Sequence, residues 1–329
     1  MYTNKDIRCF VMTRNRADLL VESINSLLSQ QGGPWDIWVI DNSTDDKTEQ
    51  LIKTKYPNIH YKHTNPLKQA ANLLEMLSLM DTPYSLTLHD DDLLAPNYLE
   101  NALKAINYYP NISGVFSKYY MFNDKEIPPN ISCNILNTKH WLIPNQADFA
   151  LSFWDDPSPC WTGSVLRSDL YKNIDIGKNS SLYGKICDWS ILIESMKEGN
   201  TLIFQDTYIY YRIHAGQDSK DKTNGITAQQ LANWLRFFKN FAISKRELKN
   251  IYIIRAYENA LSNYNSFLSK KEQPICRDLP SWFIKENLNI PPMKIYHKIL
   301  SNKILYPLKH IFKRIYKRNY FKKFLTDFK

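Results

Sequence analysis

The stretch that decides the fold is Tyr84-Ser85-Leu86-Thr87-Leu88-His89-Asp90-Asp91-Asp92, an apolar, β-prone run that ends in three consecutive carboxylates. Like charges repel, so a strand end that carries three of them favours a bound cation. Carboxylate oxygens suit Mg²⁺ or Mn²⁺, which commonly tie one or two carboxylates to substrate phosphates. Asp is also a good helix N-cap, so the triplet could instead be a solvated turn before a helix opening at Leu93. The stretch alone leaves both interpretations open.

Polar clusters also follow the two strands predicted earlier in the chain. A strand over residues 7–12 precedes the cluster at 13–16, and a strand over 37–40 precedes the cluster at 41–46. Strands and helices alternate, which predicts an α/β fold: a Rossmann-like, mostly parallel sheet flanked by helices. Ligands of such sheets bind beyond the carboxyl ends of the strands. We therefore expect the three polar clusters to meet at one site.

Composition and cysteine usage narrow the class of protein. Hydrophobic residues make up 43% of the 329 residues and charged residues 23%, which is a globular composition. The five cysteines are scattered without a CxxC pair, which favours a reducing compartment and argues against a structural zinc site. The sequence shows no N-terminal signal and no apolar run of membrane-spanning length. These features predict a protein that is soluble or lies on a membrane surface.

The positive charge is concentrated at the end of the chain. Residues 293–329 contain eleven Lys and Arg against one acidic residue, a net charge of +10, whereas residues 1–292 have a net charge of −1. Apolar residues in this tail recur at helical spacing, and basic amphipathic helices bind anionic membrane surfaces. A basic helix packed on the body or on a partner is the alternative. We expect no nucleic-acid ligand, because the tail contains no recognisable binding module.

Three motifs carry a resemblance to a known family. Their order and spacing resemble the N-terminal half of family 2 glycosyltransferases, and the motifs are Val11-Met12-Thr13-Arg14-Asn15-Arg16, Val39-Ile40-Asp41-Asn42-Ser43-Thr44-Asp45 and Leu88-His89-Asp90-Asp91-Asp92. That family has a GT-A fold and transfers a sugar from a nucleotide-sugar with inversion. Neither GxGxxG nor a P-loop motif is present. The resemblance covers residues 7–219.

The resemblance implies roles for individual residues. Nucleotide-sugar binding is expected from Thr13, Asn15, Arg16, Asp41, Asn72, Asp90, Asp92, Trp161 and Gly163, with Asp41 near the base and ribose and a UDP-sugar as the expected donor. Asp91, by its position relative to Pro96, is the expected direct metal ligand, joined by His214. The implied cofactor is Mn²⁺ or Mg²⁺, and an imidazole ligand suits Mn²⁺ somewhat better.

A carboxylate in the second half of the matching region is the candidate base. Asp188 lies in the first turn of a predicted helix, where spacing alone favours a capping role. The family places a Glu-Asp acceptor-activating motif at this point; Asp188 matches the Asp, and Cys187 replaces the Glu. The resemblance therefore implies that Asp188 takes the proton of the acceptor hydroxyl.

The sequence also departs from the family pattern. Leu67 stands where the family has a glycine, Ala71 where it has an arginine, and His89 where many members carry an additional Asp. These departures leave the fold prediction intact and leave the donor sugar open.

The predicted organisation is a GT-A catalytic domain at 1–220 with a C-terminal helical extension. Its parts are a nucleotide-sugar-binding half at 1–100, an acceptor-binding half at 101–220, a helical region at 221–292 and the basic tail at 293–329. The predicted activity is inverting, metal-dependent transfer to a glycan or lipid-linked acceptor in bacterial surface polysaccharide synthesis, at the cytoplasmic face of the plasma membrane. The alternatives are a nucleotidyltransferase of related fold and a non-catalytic, membrane-associated scaffold.

Overall fold

The computed structural model describes most of the first 243 residues and a few short segments beyond them. The described residues are 1–66, 71–123, 126, 128, 139–153, 159–217, 225–243, 271, 282–283, 285–288 and 325–326. Within them, ten strands form one sheet: β1 (Ile7–Thr13), β2 (Asp36–Asp41), β3 (His60–His63), β4 (Tyr84–His89), β5 (Leu93–Leu94), β6 (Ile112–Asn123), β7 (His140–Ile143), β8 (Ser164–Arg167), β9 (Asn200–Ile213) and β10 (Leu325–Thr326).

Nine α-helices connect or flank these strands in the described part of the chain. They are α1 (Ala17–Leu28), α2 (Lys47–Lys55), α3 (Ala71–Ser78), α4 (Tyr98–Tyr108), α5 (Gln146–Ser152), α6 (Ser168–Lys172), α7 (Ile176–Tyr183), α8 (Cys187–Ser195) and α9 (Ala228–Ile243). The alternation predicted from the sequence is confirmed over the first three strand–helix units.

The sheet has a parallel half and a mixed half. Its strand order is β10-β7-β9-β6-β8-β4-β1-β2-β3, with β5 pairing β9 off this path. Strands β4, β1, β2 and β3 are parallel neighbours, β8 joins them antiparallel, and β6 pairs parallel with β9. Most paired positions lie in parallel ladders, so the predicted mostly parallel α/β fold is confirmed.

The register of the parallel half brings the predicted polar clusters to one edge. Thr13 at the end of β1 is opposite Asp41 at the end of β2. On the other side of β1, Met12 is opposite His89, the last residue of β4. The turns that follow these strands therefore begin side by side, as expected for the carboxyl ends of adjacent parallel strands.

Helices cover both faces of the sheet because side chains alternate along each strand. On β1, Ile7, Cys9 and Val11 join one buried cluster, together with apolar residues of α1, α2 and α4. Phe10 points the other way and joins a second cluster with apolar residues of α3 and of α5 to α9. The site at the strand ends thus rests on two packed layers.

The prediction that a helix begins at Leu93 is wrong, because the helix begins later in the chain. Leu93 and Leu94 form β5, which pairs antiparallel with Tyr210 and Ile209 of β9, and α4 begins only at Tyr98. Pro96 disfavours a helical conformation in the residue before it, which delays the helix. The three carboxylates therefore lie too far upstream to cap α4, and the capping interpretation is excluded.

The C-terminal predictions fall largely outside the described residues. Of the two helices expected between residues 226 and 268, α9 is present, and the second lies outside the described part. The basic tail also lies outside it except for Leu325 and Thr326, which pair antiparallel with Trp141 and His140 at the sheet edge. Among the described residues, no helix combines the length and the apolar character needed to cross a bilayer.

Candidate active site

The carboxylate cluster lies in the turn after β4 and is almost entirely removed from solvent. Asp90, Asp91 and Asp92 are 3%, 6% and 1% exposed. The Thr13 hydroxyl donates to Asp90 Oδ2 at 2.7 Å, which fixes this carboxyl against the end of β1. Burial raises the pKa of Asp90 to about 6; Arg16 opposes the shift and the charge of Asp91 adds to it. Packing several carboxylates this closely costs free energy unless a cation offsets their charge.

Arg16 supplies a cation at this point. Its Nη1 donates to Asp90 Oδ1 at 3.2 Å and to Asp91 Oδ2 at 3.3 Å, and its Nη2 donates to the Gly216 carbonyl oxygen at 2.7 Å. The guanidinium thus joins the start of α1 to the carboxylates and to the segment after β9. The positive charge of the Arg16 guanidinium therefore offsets part of the negative charge of Asp90 and Asp91.

Asp92 is the most deeply buried of the three carboxylates. Its Oδ1 accepts from the Arg212 backbone N–H at 2.9 Å. Its Oδ2 makes no well-formed hydrogen bond within the described part of the chain. Burial raises the pKa of Asp92 well above its usual range, and the neighbouring charge of Asp91 adds to the effect. A buried carboxylate oxygen that lacks a well-formed hydrogen bond is suited to binding a metal ion.

Arg212 is a site residue that the sequence interpretation missed. Its Nε donates to the Asp91 carbonyl oxygen at 2.9 Å, and its Nη2 donates to Glu22 Oε2 at 2.7 Å. The guanidinium also lies over the ring of Phe122, 4.7 Å from its centroid. The available signal was its position two residues before His214; its buried state could not be read from the sequence.

Two imidazoles flank Asp91. The Nε2 of His214 lies 2.9 Å from Asp91 Oδ2, and the Gly216 N–H donates to Nδ1 of the same ring at 3.2 Å. Within the described residues, the side chains grouped so that they could share a metal ion are His89, Asp91 and Asp92, whose ligand atoms lie within 4.8 Å of one another. In the sequence, His89 is a departure from the family pattern, because many members carry an additional Asp at this position.

Two predicted nucleotide-binding residues, Asn15 and Asp41, brace the turns beside this cluster. Asn15, in the left-handed region at φ 54°, accepts from the Thr44 N–H at 2.8 Å. Asp41 is fully buried and accepts from the Ser43 N–H at 2.7 Å and from the Tyr61 hydroxyl at 2.8 Å. These contacts hold the turns after β1 and β2 in fixed shape.

Asn72 joins the same turns from α3. Its Nδ2 donates to the Thr13 carbonyl oxygen at 2.9 Å and to Asn42 Oδ1 at 3.0 Å, while its Oδ1 accepts from Thr64 at 2.7 Å. Asn15, Asp41 and Asn72 all lie at the sheet edge where β1 and β2 end, and their described contacts are with other protein groups.

Trp161 and Gly163 lie just before β8, on the other side of the carboxylates. The Trp161 ring meets His89 edge-to-face with centroids 6.3 Å apart. Gly163 has φ +74°, and a Cβ placed there would lie 2.7 Å from Ile209 Cδ1. The sequence implied a ligand-binding role for Gly163; the structure also gives it a packing role, because no larger residue fits this position without a shift.

Asp188 lies at the start of α8, as predicted, and is half-buried. Burial raises the pKa of Asp188 to about 6, and the backbone N–H groups of Trp189 and of Asp188 itself oppose the shift. Burial also raises the pKa of the Cys160 thiol, and the charges of Asp92 and Asp188 both add to that shift. Asp188 and Asp92 therefore both lie close enough to Cys160 to raise the pKa of its thiol.

With this geometry established, sequence comparison identifies the family. The model of glycosyl transferase family 2 matches residues 9–175, just over half of the chain. The protein belongs to this family and is a glycosyltransferase that uses a nucleotide-sugar. None of the curated proteins compared with the chain matches it in sequence.

Solved structures give the same fold. The S. aureus TarS structure in complex with UDP is similar with a TM-score of 0.57 at 15% identity, over 95% of this chain and 88% of that one. The TarS structure in complex with UDP-GlcNAc has a TM-score of 0.54 at 16% identity, over 77% of this chain and 72% of that one. The predicted GT-A fold is confirmed by these likenesses.

Proposed function

We propose that this protein is an inverting, metal-dependent glycosyltransferase that moves a sugar from a UDP-sugar to a glycan or lipid-linked acceptor. The observation that carries the proposal is the cluster of three buried carboxylates at the junction of β1, β4 and β9, within reach of one basic side chain and two imidazoles. Such a cluster is costly in a folded protein unless it binds a cationic ligand.

The donor nucleotide is proposed to bind across the ends of β1 and β2. The turns after these strands are braced by Asn15, Asp41 and Asn72, which leaves a preformed surface beside Thr13 and Arg16. Arginine pairs well with phosphate oxygens, so Arg16 is suited to the donor diphosphate. The presence of UDP in one TarS structure and UDP-GlcNAc in another supports a UDP-sugar as the donor.

The residues present fit a divalent cation. Asp91 is proposed as its central ligand, because its carboxylate lies between Arg16, the two imidazoles and Asp92. The Oδ2 of Asp92, which makes no well-formed hydrogen bond in the described part of the chain, adds a second oxygen at the same place. A divalent cation bound there offsets the negative charge that develops on a departing nucleoside diphosphate.

Asp188 is proposed as the general base. A base must be ionised to accept the acceptor proton, and it works best when its pKa lies near the operating pH. The raised pKa of Asp188, about 6, meets both conditions near neutral pH.

The acceptor and the cellular location rest on the sequence. The concentration of charge in residues 293–329 supports attachment to an anionic membrane surface, which would bring the catalytic domain to a lipid-linked acceptor. We place the protein at the cytoplasmic face of a bacterial plasma membrane, in the synthesis of a surface polysaccharide.

The alternatives are less well supported. A nucleotidyltransferase of related fold is disfavoured by the match to the glycosyl transferase family over residues 9–175. A non-catalytic scaffold would gain nothing from keeping Asp90, Asp91 and Asp92 buried together, because replacing buried charges by neutral residues commonly stabilises a protein.

The proposal is tested by incubating the purified full-length protein with a panel of nucleotide-sugars and Mn²⁺ and measuring release of the nucleoside diphosphate. We expect release from a UDP-sugar, loss of release in EDTA, and loss with Asp91→Ala although the protein remains folded by circular dichroism. Full activity in EDTA would exclude the metal-dependent mechanism. Release from no nucleotide-sugar, with or without a soluble acceptor, would exclude the donor class.

A further inference from the structure

One face of the β6–β9 ladder carries two tyrosines whose rings meet. In this parallel ladder Tyr119 is opposite Ile209, and Met121 is opposite Tyr211. Side chains alternate along a strand, so these four residues share one face of the sheet. The ring centroids of Tyr119 and Tyr211, the tyrosine pair, lie 5.7 Å apart with the ring planes at 49°. Met121 beside them is 55% exposed, so this face is not sealed inside the fold.

The opposite face of the same ladder is occupied by Arg212. Its guanidinium lies over the ring of Phe122, its partner in the register, and its Nε donates to the Asp91 carbonyl oxygen at 2.9 Å. Tyr120 shares this opposite face and is 43% exposed. The tyrosine pair therefore points away from Arg212, and Tyr120 is an exposed aromatic residue of the same strand that can serve as a control.

The face with the tyrosine pair turns toward the loop before β8. A Cβ placed on Gly163 of that loop would lie 2.7 Å from Ile209 Cδ1. Tyr211 lies two residues further along β9, toward the carboxyl end of the strand. The next residue, Arg212, donates its backbone N–H to Asp92 Oδ1 at 2.9 Å. Tyr211 therefore lies where this face reaches the acidic cluster.

The electrostatic surroundings of Tyr211 agree with this placement. Burial raises the pKa of Tyr211 well above its ordinary value, and the charges of Asp92, Asp91 and Cys160 add to the shift. Cys160 is also the residue whose thiol pKa is raised by the charge of Asp188. The phenol of Tyr211 is thus neutral at physiological pH, and its ring is an uncharged aromatic surface beside the carboxylates.

A sugar ring is the ligand that suits this surface. The faces of a sugar ring carry C–H groups, which the negative face of an aromatic ring attracts, and its rim carries hydroxyls that need polar partners. A lipid chain would gain from contact with the tyrosine pair but not from the charged border formed by Asp91 and Asp92. A neutral saccharide fits both the aromatic surface and the polar border.

We propose that the ring of Tyr211, held at its angle by Tyr119, is the stacking platform for a sugar ring of the acceptor and turns one of its hydroxyls toward Asp188. This proposal rests on the proposed function, which makes the acceptor a glycan and Asp188 its base. It adds a binding site for the acceptor on β9, beside the carboxylates. Because stacking uses the ring and not the phenol hydroxyl, Tyr211→Phe should bind the acceptor as well as the wild type does.

Saturation-transfer difference NMR on the full-length protein with UDP and Mg²⁺ tests the platform. The probes are the methyl glycosides of glucose, galactose and N-acetylglucosamine, because they carry no aromatic group of their own. We expect saturation of the ring C–H protons of at least one glycoside in the wild type and in Tyr211→Phe. Tyr211→Ala should raise the Kd of that glycoside about tenfold. Tyr120→Ala, on the opposite face, is the matched control and should behave as wild type.

A second variant keeps the test valid if Tyr211→Ala is poorly folded. Tyr211→Leu keeps an apolar side chain on the strand but removes the aromatic face, so it should lose glycoside binding like Tyr211→Ala. Its affinity for UDP, measured by calorimetry, should equal that of the wild type and so show that the donor site is intact. Equal glycoside binding by Tyr211→Leu and the wild type would overturn the platform, as would the absence of saturation transfer from every glycoside to the wild type.

Decyl phosphate represents the lipid part of a lipid-linked acceptor in the same experiment. Saturation of its chain protons that is lost in Tyr211→Ala, with glycoside binding unaffected, would assign the surface to lipid and overturn the proposal. Failure of the proposed function looks different. Glycoside binding that depends on Tyr211, in a protein that releases no nucleoside diphosphate from any nucleotide-sugar, would leave the sugar site standing and refute the activity. Release of nucleoside diphosphate with glycoside binding independent of Tyr211 would support the activity and refute the platform.

Discussion

Arg16 and Asp91 are joined by an ion pair in which Arg16 Nη1 lies 3.3 Å from Asp91 Oδ2, an oxygen that His214 also contacts at 2.9 Å. The same nitrogen lies 3.2 Å from Asp90 Oδ1. Arg16 thus supplies positive charge at the place proposed for the divalent cation. A donor diphosphate that attracts Arg16 would free Asp91 for the metal, so donor and metal are expected to favour each other's binding.

Arg16→Gln should strengthen Mn²⁺ binding in the absence of nucleotide and weaken UDP binding. Removing a competing cation lowers the cost of placing Mn²⁺ beside Asp91, and a change of about tenfold corresponds to roughly 1.4 kcal/mol. Both affinities can be measured by isothermal titration calorimetry. Arg14→Gln is the control, because Arg14 is exposed and contacts Asp90 through its backbone N–H. Unchanged or weaker Mn²⁺ binding by Arg16→Gln would contradict this competition.

Asp188→Asn should lower the rate of transfer by roughly 10²–10⁴-fold, the usual contribution of a positioned base. Because the pKa of Asp188 is about 6, the wild-type rate should rise with pH as the carboxyl ionises through that value, and this dependence should be lost from the residual activity of the variant. UDP affinity should change little. If donor affinity falls while the rate is kept, Asp188 is a binding or capping residue.

Asp92→Asn should stabilise the metal-free protein by about 1–3 kcal/mol near neutral pH, because it removes a buried charge and keeps an oxygen for the Arg212 N–H. The folded-state pKa of Asp92 is raised above its unfolded value of about 3.9. Its contribution to stability is therefore most favourable below that value and is lost as pH rises through the folded-state pKa.

Thermal and urea unfolding in EDTA check this prediction. The variant should unfold at a higher temperature than the wild type at neutral pH, and the difference should shrink at acidic pH, where the wild-type carboxyl is protonated. Mn²⁺ should stabilise the wild type and have little effect on the variant. A variant that is less stable in EDTA would show that the Asp92 charge is compensated in the fold.

Gly163→Ala should destabilise the protein by about 2–4 kcal/mol, as a left-handed φ costs about 1 kcal/mol for alanine and overpacking adds 1–3. The new Cβ would lie 2.7 Å from Ile209 Cδ1. Combining the change with Ile209→Ala should relieve the overpacking, because both contacting carbons of Ile209, Cδ1 and Cγ1, are removed. Urea unfolding of the single and double variants measures the coupling. Normal stability with impaired donor binding would instead favour a role limited to the ligand.

Neutralising Lys309, Lys313, Arg314 and Lys317 to Gln should weaken binding to anionic vesicles at least tenfold, since each basic residue near anionic lipid contributes about 1 kcal/mol. Binding of the wild type should also weaken as salt rises. This variant is preferable to truncation after Pro292, which would also remove β10 from the sheet. Co-sedimentation with vesicles measures binding, and transfer to a soluble acceptor should be unchanged. Salt-insensitive binding to neutral vesicles would contradict the electrostatic anchor.

The sequence by itself determined the order of the first three strand–helix units and the sheet edge at which the polar clusters meet. Apolar spacing along β1, α1, β2 and α2 depends on short-range geometry, which is regular and can be read from a few consecutive residues. Polar residues after β1, β2 and β4 then had to meet, because parallel strands end at the same edge. The motifs at those positions also carried the family resemblance.

The tertiary structure alone decided how the site residues are held. Arg212 pairs with Glu22 across 190 positions of the chain, and no local pattern encodes a contact at that separation. Leu93 forms a strand instead of a helix because β9 is there to pair with it. The His214 ring accepts a hydrogen bond from the backbone N–H of Gly216, which only the folded loop brings to the ring. Spacing in sequence predicts which residues gather; their protonation, burial and hydrogen bonds follow from distances that exist only after folding.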